Sequence, residues 1–295
     1  MSAETFSIRA GAPAPVQAQL YGLLTDLIGN WVGNGFNLIS KPGLDVNKPF
    51  VLQVNPTKEV LNFSQIAGSV PDRGSVQPDL TIFGLTYSQQ VSDANTSELL
   101  HVERGMWINQ DAGDPPPQTI TRLSTIPHGD SLLASGVAVS VAGGPTIAPV
   151  DPTPIVAATG EKTPPGYFPP DPEAFPQVNP FPIDPRFDMT NPNQALNDAI
   201  AGQNITHTTV LQVSTSVSPT NPTFGGGILN IPFVTKNANA ITLDATFWIE
   251  TVMPPGGVPF LQLQYTQTVI LSFPDGPKGQ LINWPHISVA TLVKN

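Results

Sequence analysis

At 295 residues, 40% of them hydrophobic, the chain can bury a substantial core and is not an intrinsically disordered one. Charged residues make up only 12%, and 12 Lys+Arg against 22 Asp+Glu give a net charge of −10 and a pI near 4.6, which argues against nucleic acid or anionic lipid as partner. The absence of cysteine removes disulfides, thiolate nucleophiles, iron–sulfur ligation and cysteine-bound zinc together.

The opening MSAETFSIRAGAPAPVQ lacks the basic and apolar runs of a signal peptide, and no stretch approaches the roughly 18–20 apolar residues that a membrane helix needs. A soluble, cytoplasmic protein without a membrane partner is expected. In PVQAQLYGLLTDLIG, Val16, Leu20, Leu23, Leu24, Leu27 and Ile28 recur at the spacing of one helical face. With Pro15 suited to a first helical position, the pattern predicts a helix over 14–28. After Gly29 the runs are short, rich in β-branched and aromatic residues, and bounded by turn formers: WVGNGFNLIS, FVLQV, KEVLNFSQI, LTIFGLTYSQQV, SELLHVERGMWI, QTITRLSTI and SLLASGVAVSV. Their close succession favours antiparallel hairpins. GNGFNL and FGGGIL lie beside strands and read as turns or bulges.

From Gly143 the chain becomes a different material. Fourteen of its 34 prolines fall between Pro145 and Pro192, a density that neither helix nor ladder tolerates. Tyr167, Phe168, Phe175, Phe181 and Phe187 are interleaved with them, which a solvated linker seldom shows, so an ordered insertion over 143–195 is expected to pack on the rest of the protein. A short helix in NPNQALNDAI, with Asn191 as cap and Pro192 at its first position, ends it. THTTVLQVSTSV, AITLDATFWIETV, PFLQLQYTQTVILSF and HISVATLV follow as strands, and Ile241, Leu243, Ala245, Phe247 and Ile249 make an apolar face in the second. Four strands are few for a second domain. The economical fold is therefore all-β: one closed antiparallel up-and-down barrel spanning 1–295, with strands over 30–142 and 204–294.

Nucleophile elbow, phosphate loop, dinucleotide fingerprint and H-E-x-x-H motif are all missing from the sequence. His101 and Glu103 in LLHVERGMW share one strand face, as half a metal site, an acid/base pair, or a hydrogen-bonded pair that only fixes geometry. His128, between Pro127 and Gly129, reads as a turn residue at a barrel rim, either overhanging a cavity or solvated. His286 lies in the last strand with Ser288 and Ala290 on its side. A neutral imidazole there is either a structural residue or suited to the proximal side of a pentacoordinate haem iron.

Three segments together carry a family resemblance. LIGNWVGNGF, with Gly29, Trp31, Gly33 and Gly35 spaced G-x-W-x-G-x-G, resembles the opening of nitrobindin-like haem-binding β-barrels, relatives of the fatty-acid-binding, calycin-like proteins. LLHVERGMWI is similar to that family's H-x-E-x-G segment through His101, Glu103 and Gly105, and PHISVATLVK to its closing strand through His286 and Lys294. The resemblance implies about ten strands with the N-terminal helix at one end. It implies ferric haem b on His286, with Trp31, Arg122 and Ala290 around the cofactor and His101 or His128 on its distal side. Arg104 or Arg122 would pair with the propionates. The implied chemistry is on nitric oxide or peroxynitrite, as an isomerase or peroxidase. The chain departs from the family in its greater length and in one extra residue between His286 and Lys294. Two readings stand beside haem: a barrel holding a hydrophobic small molecule under the proline-rich insertion as lid, and a cofactor-free enzyme using His101, Glu103 and His128. In each the partner is a small molecule, and a homodimer is the one assembly considered.

Overall fold

The structure, a computed structural model, describes residues 19–45, 48–76, 78–110, 117–162, 186–274 and 279–295. Its strands are β1 (Gly29–Asp45), β2 (Lys48–Gln65), β3 (Val70–Asp72), β4 (Leu80–Asp93), β5 (Leu99–Asn109), β6 (Gln118–Ile126), β7 (Asp130–Ala142), β8 (Ile155–Val156), β9 (Ile205–Ser214), β10 (Gly225–Asn230), β11 (Asn239–Val252), β12 (Phe260–Pro274) and β13 (Leu281–Lys294). Ten of them (β1, β2, β4, β5, β6, β7, β9, β11, β12 and β13) form an antiparallel meander that closes where β1 pairs with β13. The ladder between β7 and β9 joins the strands on either side of 143–195 into this one sheet.

Closure depends on glycine. A side chain at Gly33 would meet the Thr291 carbonyl oxygen at 2.1 Å, and one at Gly35 the Val289 carbonyl oxygen at 2.2 Å, so both positions must be bare for β13 to lie against β1. Trp31, between Gly29 and Gly33, is fully buried and donates its indole N–H to the Leu27 carbonyl at 2.7 Å.

FVLQV and KEVLNFSQI, read as two strands, are one strand, β2, that runs through Pro56. Pro56 sits just beyond the β2–β4 ladder, which ends at the Thr57–Asp93 pair, so its missing N–H removes no ladder bond. FGGGIL is not a turn either: Gly225–Asn230 is β10, which pairs with the first half of β7 beyond the point where β9 ends. In β11 a register shift between Ala240 and Thr242 turns Ile241 outward to 40% exposure, while Leu243, Ala245, Phe247 and Ile249 stay in the core.

Of the expected helix over 14–28, residues 14–18 lie outside the described residues, and the rest is tighter than an α-helix. Residues 19–21 are helical and Gly22–Leu27 is a 3₁₀ turn. Gly22 adopts φ +54°, which an α-helix cannot contain, and Leu23 donates its backbone N–H to the Gln118 side chain at 2.9 Å. Leu24 and Leu27 still plug this end of the barrel, packed with Trp31, Trp107, Ile120 and Leu211.

A second apolar cluster lies on the outer wall. Phe36, Leu38, Val54, Trp248, Ile287 and Val289 are covered by Ile147, Val156, Phe187 and Leu196, which belong to the insertion and the helix after it. That helix, α1 (Gln194–Ile200), starts at Asn193 rather than at Asn191 and Pro192. Both asparagines are engaged elsewhere: Asn193 donates to the Ala148 carbonyl at 2.8 Å, and Asn191 accepts from the Val150 N–H at 3.2 Å. The described parts of the insertion therefore lie along the barrel's side. Tyr167, Phe168, Phe175 and Phe181 fall outside the described residues. A last short helix, α2 (Pro232–Asn237), follows β10.

Candidate functional site

Alternation along the strands sends one set of side chains into the barrel, and its character changes with height. Next to the 3₁₀ turn the interior is apolar: Trp31, Leu61, Phe63, Leu85, Trp107 and Leu263. One layer up it is polar and almost fully buried. Glu59, Gln89, Glu103, Arg122 and Tyr265 are each no more than 6% exposed.

These side chains satisfy one another. Glu103 accepts from Arg122 Nη2 at 2.7 Å and from the Tyr87 hydroxyl, and Arg122 Nε donates to Tyr87 Oη at 2.9 Å. Arg122 Nη1 reaches across to Gln267 Oε1 at 2.7 Å. Glu59 accepts from the Tyr265 hydroxyl at 2.6 Å and from Thr57 at 2.9 Å, and Gln89 donates to Tyr265 Oη at 3.0 Å. The Arg122 guanidinium also lies 5.6 Å from the ring centre of Phe247, which stacks on Tyr265 at 5.2 Å. Burial alone would raise the Glu103 carboxyl, but Arg122, followed by His101 and Tyr87, holds it well below the usual carboxylate range. Burial pushes the Glu59 carboxyl and the Tyr87 and Tyr265 phenols up. The layer thus contains one committed ion pair, beside phenols that burial keeps protonated and a second buried carboxyl, Glu59, that three donors surround.

Gly105 belongs to the same architecture. A side chain there would come within 2.7 Å of the Tyr87 ring, so the glycine two residues after Glu103 makes room for the tyrosine that bonds to it. The H-x-E-x-G pattern has a packing cause as well as a chemical one.

Above this layer, at the end away from the 3₁₀ turn, stand three of the four histidines. His101 faces inward with Nε2 3.3 Å from Glu103 Oε2, and its side chain is a quarter exposed (25%). His128, in the β6–β7 turn, has its ring centre 5.7 Å from that of His101. Partial burial and the neighbouring His101 lower the His128 pKa, and burial raises that of Asp130 two residues on. His286 shares the inward face of β13 with Ser288, Ala290 and Leu292. Its Nε2 is 3.1 Å from Asn37 Oδ1, and Asn37 Nδ2 donates to Ser288 Oγ at 2.7 Å. On the neighbouring strand, Gln267 is the register partner of Ser288, so the Arg122 layer ends beside the His286 group.

The sequence-predicted residues are thus sorted by the fold. His101, Glu103 and His128 come together. His286 stands at the same end on the far wall. Arg122 points inward with Glu103 as its partner, and Arg104 points out to solvent. Trp31 lies at the opposite, plugged end, and Ala290 packs against Gly35. The sequence reading missed Glu59, Tyr87, Gln89, Tyr265, Gln267 and Asn37. One signal was available: each shares its strand face with residues of the apolar core, so each had to turn inward and find a partner.

For haem, the inward-facing His286 beside small residues suits an iron ligand. Asn37 already holds its Nε2, however, and Glu103 already neutralises Arg122, which leaves the propionates without that partner. Among the described residues no three His, Asp or Glu side chains converge as a metal site, and no helix is long and apolar enough to cross a membrane. Neither of two cavities, one of about 530 Å³ between α1 and the outer wall and one of about 830 Å³ over β5–β7 and β10, is lined by His101 or His286.

No family model matches the chain, and no curated protein matches it. Among solved structures, that of Rv2717c from M. tuberculosis matches with a TM-score of 0.43 and 14% sequence identity, over 94% of this chain and 99% of that one. At that distance the likeness bears on neither ligand nor chemistry. What the chain has of the calycin-like architecture is the closed ten-strand meander itself.

Proposed function

We propose that this is a small-molecule-binding barrel whose site is the end opposite the 3₁₀ turn, with His101 as the residue that takes a proton or hydrogen bond from the ligand. The observation that supports this reading is the pairing of His101 with a carboxylate held ionised by Arg122. An ionised Glu103 accepts from Nε2–H, which leaves the His101 Nδ1 lone pair for a ligand hydroxyl or amide. If His101 takes the proton, the imidazolium forms next to a negative charge already in place, the arrangement a general base needs. His128 stays neutral beside it and supplies a second polar contact at the rim. The ordered layer beneath closes the site from below. Native mass spectrometry of protein purified from its own cells should show a small adduct that His101→Ala removes. An adduct retained in both His101→Ala and His286→Ala would place the ligand elsewhere and overturn the proposal.

Haem b on His286 is a second reading, supported by the inward-facing imidazole beside Ser288 and Ala290. Haem would bring binding of small nitrogen or oxygen species. His286 would have to exchange Asn37 for iron, and His101 at the same end of the barrel would supply a polar group for the bound species. Hemin titration should then give a Soret shift that His286→Ala abolishes; no shift, or one that survives the substitution, removes haem from consideration.

A further inference from the structure

The outer wall carries a cavity that neither reading uses. It measures about 830 Å³ and runs over the solvent side of β5, β6, β7 and β10. Its walls are Met106, Leu123, Leu133 and Leu229, of which Met106, Leu133 and Leu229 are 39%, 53% and 76% exposed. Single exposed apolar residues are ordinary, but several lining one concavity mark a binding surface.

Two further observations specify the ligand. Arg104, two residues before Met106 on the same outward face, is the one charged residue lining the cavity, and no carboxylate pairs with it among the described residues. In a chain with 22 acidic against 12 basic side chains, an exposed guanidinium left without an acidic partner beside apolar walls is set for an external anion. The floor has room as well: a Cβ added at Gly227 would meet nothing within 4 Å, and its backbone is not in the left-handed region. By contrast, one at the neighbouring Gly226 would strike the Leu133 carbonyl oxygen at 2.0 Å. Gly226 keeps β10 close to β7, whereas Gly227 opens onto unfilled space.

We propose that this outer trough is a second binding site, for an amphipathic anion: a molecule with a substantial apolar body and one negatively charged group that pairs with Arg104. The apolar body lies over Gly227 between Leu133, Leu229 and Met106, and the anion is held at the β5 side by the guanidinium.

The test uses two fluorescent probes of the same shape, 8-anilinonaphthalene-1-sulfonate and the uncharged N-phenyl-1-naphthylamine, titrated into the full chain. Arg104→Gln is expected to weaken the sulfonate about tenfold and leave the neutral amine unchanged, the signature of one lost charge-assisted contact. Gly227→Phe, whose Cβ meets nothing within 4 Å and whose ring occupies the trough, should abolish binding of both probes while circular dichroism stays that of the wild type. His101→Ala and His286→Ala should alter neither, which separates this site from the barrel end. Equal affinity for both probes in Arg104→Gln and wild type, or binding that survives Gly227→Phe, overturns the proposal. So does binding lost in the His101 or His286 variants, because the probe would then be inside the barrel.

Discussion

Glu103 and Glu250 are both fully buried carboxyls, yet their surroundings drive them in opposite directions. Glu103 has Arg122 against it and stays ionised. Glu250, on the outer face of β11, receives one hydrogen bond from Gln262 at 2.7 Å, and its other oxygen has no partner among the described residues. Burial pushes its pKa up to about 7. The two therefore shape stability against pH with opposite signs. Glu103, lowered when folded, contributes stability that is present above its unfolded value near 4.5 and lost as pH falls through the folded one. Glu250, raised when folded, contributes stability that is fully present below 4.5 and lost as pH rises through about 7. Glu250→Gln should leave Tm unchanged at pH 4.5 and raise it at pH 8, and a Tm difference independent of pH would refute the assignment. Glu103→Gln leaves the Arg122 charge buried without its counterion and should cost roughly 3–5 kcal/mol in urea denaturation at pH 7. Adding Arg122→Met should recover part of that loss. None of this pairing could be read directly from the sequence. Strand alternation places His101 and Glu103 on one face, but which arginine turns inward to meet Glu103 depends on the register of β5 against β6. That register is set by contacts far apart in the chain.

Among the elements, β1 and β13 carry the closure, and their fit rests on side chains that are absent. Gly35→Val would place a Cβ 2.2 Å from the Val289 carbonyl oxygen and 2.7 Å from Ala290 Cβ, so one of the strands must move. Overpacking of this kind costs at least about 1–3 kcal/mol. At about 2–4 °C of Tm per kcal/mol for a large domain, thermal melting will resolve it. Gly227→Ala is the control, since its Cβ meets nothing and Tm should not fall. Equal Tm in Gly35→Val and wild type would show that β13 does not lie where this ladder puts it. The barrel strands were legible because each alternates or is bounded by turn formers, and G-x-W-x-G-x-G announces the closing edge. Of the features that were not, three have a clear physical cause. The first helix tightens to 3₁₀ at Gly22, whose φ no periodicity reveals. β10 has three glycines and no apolar alternation, and it exists because β7 outruns β9 and leaves backbone groups to satisfy. Pro56 splits β2 by composition but not by geometry.

At the scale of the whole molecule, two apolar cores share one wall. The inner core fills the barrel, and the outer one seats the insertion and α1 against the backs of β1, β11 and β13. Side chains from both alternate along the same strands: in β13, Ala290 and Leu292 enter the inner core while Ile287 and Val289 enter the outer one. A strand cannot leave one core and remain in the other, so the two should unfold together. The four tryptophans divide evenly between the two clusters, Trp31 and Trp107 in the first, Trp248 and Trp284 in the second. Replacing either pair by phenylalanine gives a protein whose fluorescence reports one core alone. In guanidinium titrations the two variants, each compared with its own circular dichroism, should show fluorescence and backbone transitions that coincide. An outer-core signal lost at lower denaturant, with the backbone still folded, would make the insertion a separately melting layer on a barrel that stands without it. Coincidence would mean that the side-wall packing of Phe187 and Leu196 is part of what holds the barrel closed.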